Sequence, residues 1–195
     1  MSGPALQFRP ATRADIDAVV ALVESAYRGD PSRAGWTTEA DLLDGRRTDA
    51  DDIAACIERD RSQILLGEQT ITGEPGRPPG HASDSAQAVA QLVACAHVAM
   101  EDGAGYFGMF SVRPALQGSG IGKAMLAEAE RIARDEWRLP CMRMTVIDVR
   151  DELIGFYQRR GYRRTGVLKP FPYGDERFGR PKRDDLRFEV LEKVL

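Results

Sequence analysis

The period of the apolar positions changes several times along the chain, and each change marks an element. Ile16, Val19, Val20, Val23 and Tyr27 recur at helical spacing behind Thr12 and Asp15, either of which suits a helix cap. The pattern predicts a strand over residues 8–12, then a helix that Gly29, Asp30 and Pro31 end. Beyond Trp36, the run T-T-E-A-D-L-L-D reads as a short helix capped by Thr37 or Thr38 and closed by Gly45. Residues 49–60, with Ile53, Ala54 and Ile57, read as a further amphipathic helix. Residues 63–68 and 89–100 read as antiparallel strands, the second buried and turning at residues 101–105. Between them residues 69–88 carry proline, glycine and serine with little apolar content, which predicts a long exposed loop.

The second half is more regular. Residues 106–112 suit a strand that breaks at Arg113-Pro114, and a glycine-rich loop follows. A helix starts at Ile121, with Met125, Ala129 and Ile132 at its spacing. Residues 141–149 predict a strand, 152–160 a short helix with Gly161 as its C-cap, and Tyr162 opens a strand running to Leu168. Residues 169–185 form a second long loop, which carries Phe171, Tyr173 and Phe178, before a last strand over 186–194. No repeat is present, and 195 residues suit one α/β domain over residues 1–195.

Composition narrows the function. A net charge of −3 gives no reason to expect nucleic-acid binding. Cys56, Cys95 and Cys141 are widely spaced, and with only His81 and His97 beside them no metal site is expected. The absence of a leader-like or membrane-spanning apolar run makes the cytoplasm the expected location, with no membrane partner.

The chemistry concentrates in the glycine loop. A strand, a glycine loop and a helix in that order aim bare N–H groups and a positive dipole end at an anion. G-x-G-x-x-G, read from Gly118, fails at Lys123. G-x-x-x-x-G-K-[ST] fails at Gln117 and Ala124, and G-x-S-x-G fails because Gly118 and Gly120 flank Ser119 directly. Alone, such a loop also suits a tight turn that lets strand and helix pack closely.

What stands, Gln117-Gly118-Ser119-Gly120-Ile121-Gly122, resembles the Q/R-x-x-G-x-G/A signature of the GNAT superfamily of acyl-CoA-dependent N-acetyltransferases. The words F-Y-Q-R-R-G-Y, residues 156–162, resemble that family's second motif, and together the likeness covers residues 94–166. The resemblance implies an α/β (α+β) GNAT fold: a mostly antiparallel, splayed mixed sheet of about six to seven strands flanked by about four helices. It implies acetyl-CoA as co-substrate, with the coenzyme A pyrophosphate on Gln117 to Gly122 and Lys123 adding charge. By the same likeness, the backbone at Phe110, Ser111 and Val112 pairs with pantetheine. Tyr157 matches the tyrosine that faces the coenzyme sulfur and protonates the leaving thiolate. Arg150 stands where relatives often carry an asparagine that contacts pantetheine, so it is either a cofactor contact or a plain helix-start residue.

The matching position for a general base lies near Tyr106, where there is no carboxylate, and none of Glu101, Asp102 or Asp148 is assigned as base. Tyr27, Arg33 and Trp36, with Phe171, Tyr173 and Asp175, are candidate walls of an acceptor pocket suited to a small cationic amine. The expected activity is acetyl transfer to a primary amine of a small molecule. A protein or peptide acceptor, and an acyl-CoA-binding sensor without catalysis, are the alternatives. Homodimers are common in such a family, and the sequence neither supports nor opposes one here.

Overall fold

The computed structural model describes residues 6–71 and 89–195. The chain runs β1 (Leu6–Pro10), α1 (Ile16–Tyr27), α2 (Gly29–Ser32), β2 (Leu43–Asp44), α3 (Ala50–Glu58), β3 (Ser62–Ile71), β4 (Val89–Glu101) and β5 (Ala104–Val112). It continues through α4 (Ile121–Arg131), β6 (Cys141–Ile147), α5 (Asp151–Gln158), β7 (Arg163–Pro170), β8 (Arg180–Pro181) and β9 (Arg187–Val194). Seven strands form one mixed sheet in the order β1-β3-β4-β5-β6-β9-β7, while β2 and β8 make a separate two-stranded ribbon.

Period-two alternation in β3 and β4 feeds both faces of the sheet. Ile64, Leu66 and Cys95 pack with Val19, Leu22 and Val23 of α1 and Ile53 of α3. The intervening Leu65, Ala94 and Ala96 pack with Ile121, Met125 and Ala129 of α4. These strands are covered on both sides, so they read as continuous apolar runs. Each fully buried large aliphatic or aromatic side chain contributes about 1.5–3 kcal/mol.

The sheet is not continuous along its length. β5 pairs with β6, in parallel, only at Gly105–Met142 and Tyr106–Arg143, and beyond Tyr106 the two strands part. The β4–β5 ladder also slips between Cys95 and His97, where Met109 takes φ +48° as the extra residue of a bulge.

Several expectations need correcting. Residues 37–44 form no helix but a run of turns ending in β2. Thr38 Oγ1, expected as a cap, instead bonds Ser32 Oγ at 2.7 Å, and Thr37 Oγ1 accepts from Gln117 Nε2 at 2.8 Å. The strand expected over 63–68 extends to Ile71, so the loop expected over 69–88 begins later, and its remainder lies outside the described residues. The loop expected over 169–185 starts after Pro170 and contains a 3₁₀ turn at Glu176–Phe178 and β8. α4 runs on into a single π-type turn, Ile132–Glu136. Phe171 is a core plug, packed with Leu43, Ile147 and Leu186.

Candidate active site where two strands part

The glycine loop links β5 to α4. Gly118 and Gly120 take φ +86° and +92°, a region that costs other residues about 1–2 kcal/mol. Space beside both is open, so a positive φ rather than crowding requires glycine there, whereas a Cβ on Gly122 would press on the Phe110 ring at 3.2 Å. The first α4 bond runs from Ala124 N–H to Gly120 O at 3.1 Å, which leaves the N–H groups of Ile121, Gly122 and Lys123 at an open helix end.

The free edge of β5 borders the gap. Arg113 N–H donates to Val93 O at 2.9 Å and Ser111 sits opposite Cys95, so both turn their backbone groups toward β4. Phe110 and Val112 alternate to the other edge, where their carbonyls accept from Tyr27 Oη at 2.7 Å and Gln117 Nε2 at 3.2 Å.

Two cavities adjoin this edge. The first, about 290 Å³, is walled by Trp36, Val112, Gly118, Gly120, Gly122, Lys123, Phe156 and Arg160 among others. Among its described lining residues there is no carboxylate, while Lys123, Arg150 and Arg160 supply cations. The second, about 540 Å³, lies under the parting strands, with Arg47, His97, Tyr106, Thr145, Lys169 and Phe178 in its walls. Tyr27, Phe110, Arg150, Leu153 and Tyr157 border both. Tyr157 therefore stands at the junction of an anion-friendly cavity and a second chamber.

Tyr157 is held by edge-on contacts with Phe156 and Tyr162, at ring separations of 5.2 and 5.8 Å. Burial pushes its phenol well above the ordinary tyrosine range, so it is protonated at any working pH. Arg150, at the start of α5, gives Nη1 to Glu39 Oε1 at 2.8 Å and Nη2 to Thr37 O at 2.5 Å. Arg28 Nη1 takes the other Glu39 oxygen at 2.7 Å. Burial would raise the Glu39 carboxyl, but Arg150, Arg47 and Arg28 outweigh it and hold the group ionised, which makes it a poor proton acceptor. His97 bonds Ser62 Oγ through Nε2 at 2.9 Å, and burial, aided by Arg59, pushes its imidazole down to about 4.

Of the expected cofactor residues, Phe110, Val112, Gln117, Gly118, Gly120, Gly122, Lys123, Arg150 and Tyr157 border the first cavity. Ser111 is buried, Ser119 turns its hydroxyl to Leu116 O, and Ile121 packs in the core, so none of these three lines it. The Gln117 side chain also ties down the segment before β2, accepting from Trp36 N–H at 2.9 Å. Among the expected acceptor walls, Tyr27 borders both cavities, and Trp36 borders the first, 5.5 Å from Phe156. Arg33 pairs with Asp41, and Asp175 caps the turn at Arg177, so neither reaches the second chamber. Sequence reasoning missed Arg47, His97 and Arg160. Arg160 alone left a signal, three residues past Tyr157 in the expected helix, although it lies in the turn just beyond the end of α5.

Comparison with known proteins agrees with this geometry. Residues 83–164 match the family model described as an acetyltransferase (GNAT) domain. No curated protein matches the chain. Among solved structures, the Escherichia coli ribosomal-protein-S18-alanine N-acetyltransferase is 11% identical, with TM-score 0.62 over 97% of this chain and 94% of that one. An IAA acetyltransferase from Bacillus cereus is 15% identical, with TM-score 0.60 over 98% and 100%. A spermidine N-acetyltransferase chimera from Vibrio cholerae and hSSAT is 11% identical, with TM-score 0.61 over 97% and 95%. Residues 83–164 are thus similar to a GNAT acetyltransferase domain, and the chain has the GNAT fold. The acceptors named for these three neighbours differ in kind, so the likeness leaves the substrate class open.

Proposed function

We propose that this protein is an N-acetyltransferase that moves the acetyl group of acetyl-CoA to a primary amine of a small molecule. The observation that carries the reading is the position of Tyr157, between a cavity with no carboxylate among its described lining residues and a second, larger chamber. The first cavity fits an anionic cofactor: it combines an open helix N-terminus, three cations and glycines whose φ values suit backbone donors. Bound acetyl-CoA would supply an activated acyl thioester.

The chain's own groups then have distinct tasks. The N–H groups of Ile121, Gly122 and Lys123, with the cations of Lys123 and Arg160, hold negative charge at the loop. Phe110 and Val112 offer backbone groups on a free strand edge, as in strand addition. Tyr157 keeps its proton on Oη and is positioned to donate it to a leaving thiolate. No side chain is assigned as base, because Glu39 is tied to two arginines and the His97 imidazole is strongly depressed. An acceptor amine reaches its neutral form through water in the chamber.

A small acceptor is favoured over a protein because Lys169, Pro170, Pro172 and Phe178 add a wall to the chamber. The proposal includes a cytoplasmic location, supported by the free thiols Cys56, Cys95 and Cys141. Isothermal titration with acetyl-CoA, coenzyme A, NADH and ATP tests the reading. Only the first two are expected to bind, and a panel of primary amines should then elicit thiol release. Binding of NADH or ATP instead, or no thiol release with any amine, would sink it.

A further inference from the structure

The second chamber contains an arginine that the mechanism does not use. Arg47 lines it, and its guanidinium carbon lies 5.3 Å from the centroid of the Tyr27 ring. The backbone fixes it there, since the N–H groups of Arg47 and Thr48 both donate to Glu24 Oε1, at 2.5 and 3.0 Å. Glu24 Oε1 is thereby committed to the backbone. Glu39 and, more weakly, Glu24 attract Arg47 through space, but neither bonds its guanidinium, and both Glu39 oxygens are taken by Arg28 and Arg150. Among the described residues the Arg47 guanidinium makes no salt bridge and no hydrogen bond, and the residue lines the chamber.

The charge of the whole chamber points the same way. Arg47, Arg150 and Lys169 line it against two carboxylates, Glu39 and Glu101, and Glu101 accepts from Arg59 at 3.1 Å. Both acids are satisfied by arginines, and among the described residues Arg47 and Lys169 are left over. A polycation would meet uncompensated positive charge here, whereas a carboxylate would complete the arginine's fork.

Resting on the reading of the site as an N-acetyltransferase, we propose that the acceptor carries a carboxylate-class anion beside its amine, and that Arg47 binds that anion. The acceptor is thus an amino-acid-like molecule and not a polyamine. The Tyr27 ring spans the distance, with Arg47 over its face and its hydroxyl bonded to the Phe110 carbonyl on the free edge of β5. One tyrosine therefore separates the anion's place from the strand edge beside Tyr157. That span suits a short acceptor.

The test compares matched acceptors: amino acids, their carboxamides, the corresponding decarboxylated amines, and spermidine. Wild-type protein is expected to use the carboxylates with kcat/KM at least about tenfold above the other members. Arg47→Gln should erase that preference by raising KM for the carboxylates, with acetyl-CoA affinity unchanged as a control for folding, and Arg47→Lys should restore part of it. Equal or better use of carboxamides or spermidine by the wild type overturns the assignment, whether or not the variants fold. A preference that survives Arg47→Gln also overturns it. Failure of acetyl-CoA to bind takes down the N-acetyltransferase reading as well, while binding followed by transfer to polycationic amines overturns only the role of Arg47.

Discussion

In the proposed reaction Tyr157 is the residue on which the chemistry turns, and its environment suits it to be a donor and not a base. A buried phenol with a raised pKa keeps its proton, so its use is to release it toward a developing thiolate. Tyr157→Phe preserves the ring contacts with Phe156 and Tyr162 and removes only the hydroxyl. Turnover is expected to fall about 10²-fold with acetyl-CoA affinity unchanged, as measured by steady-state thiol release and titration calorimetry. Undiminished turnover across pH would move the proton to another group. Tyr157 was legible in the sequence because it sits in a motif with fixed local spacing. Arg47 was not, because its significance lies in the partners it lacks, and those are decided by Glu24 and Glu39 arriving from other parts of the chain.

Among the elements, the loop into α4 shows local sequence prevailing, and residues 37–44 show it failing. Gly118 and Gly120 need only their own φ values to form the loop, so the glycine pattern was sufficient to predict it. Gly120→Glu adds backbone strain and a carboxylate at the helix's positive end. Acetyl-CoA affinity should drop at least about 100-fold while circular dichroism stays native, and unchanged affinity would remove the loop from the site. Residues 37–44 had caps and a helical pattern, yet Thr37 and Glu39 are engaged by residues far along the chain. Thr37 bonds Gln117, and Glu39 is buried between Arg28 and Arg150. Such a buried triad is costly to break, about 3–5 kcal/mol when one partner is removed, so tertiary pairing overrides local propensity.

For the molecule as a whole, stability should carry the mark of a buried imidazole. His97 is neutral when folded, with its pKa near 4 against 6.5 when exposed. The unfolded chain therefore binds a proton first as pH falls, and stability declines from pH 6.5 to about 4, by an amount on the order of 3 kcal/mol. Urea unfolding at pH 7 and 4.5 should show this loss, and His97→Gln should reduce it; an equal loss in the variant would assign it elsewhere. Asp15, held far below the usual carboxylate range by Arg9, stabilises fully at neutral pH and loses that contribution only as pH falls below the ordinary carboxylate range. The strands β3 and β4 and the helix α4 were readable from periodicity, since their apolar positions are the ones they bury, while the mixed sheet followed from the family resemblance. The resemblance implied a splayed sheet, but that β5 leaves β6 after Tyr106 was not readable, because a strand's neighbours are not written in its own residues.

That parting has a mechanical meaning. β1, β3, β4 and β5 form one leaf and β6, β9 and β7 another, and the backbone bonds that join them occur at Gly105 and Tyr106. An occupant that pairs with the free edge of β5 acts as the strand the sheet lacks, bridging the leaves beyond the hinge. Its binding energy then adds to the stability of the fold. The opening that admits substrates is also the seam that a ligand stiffens.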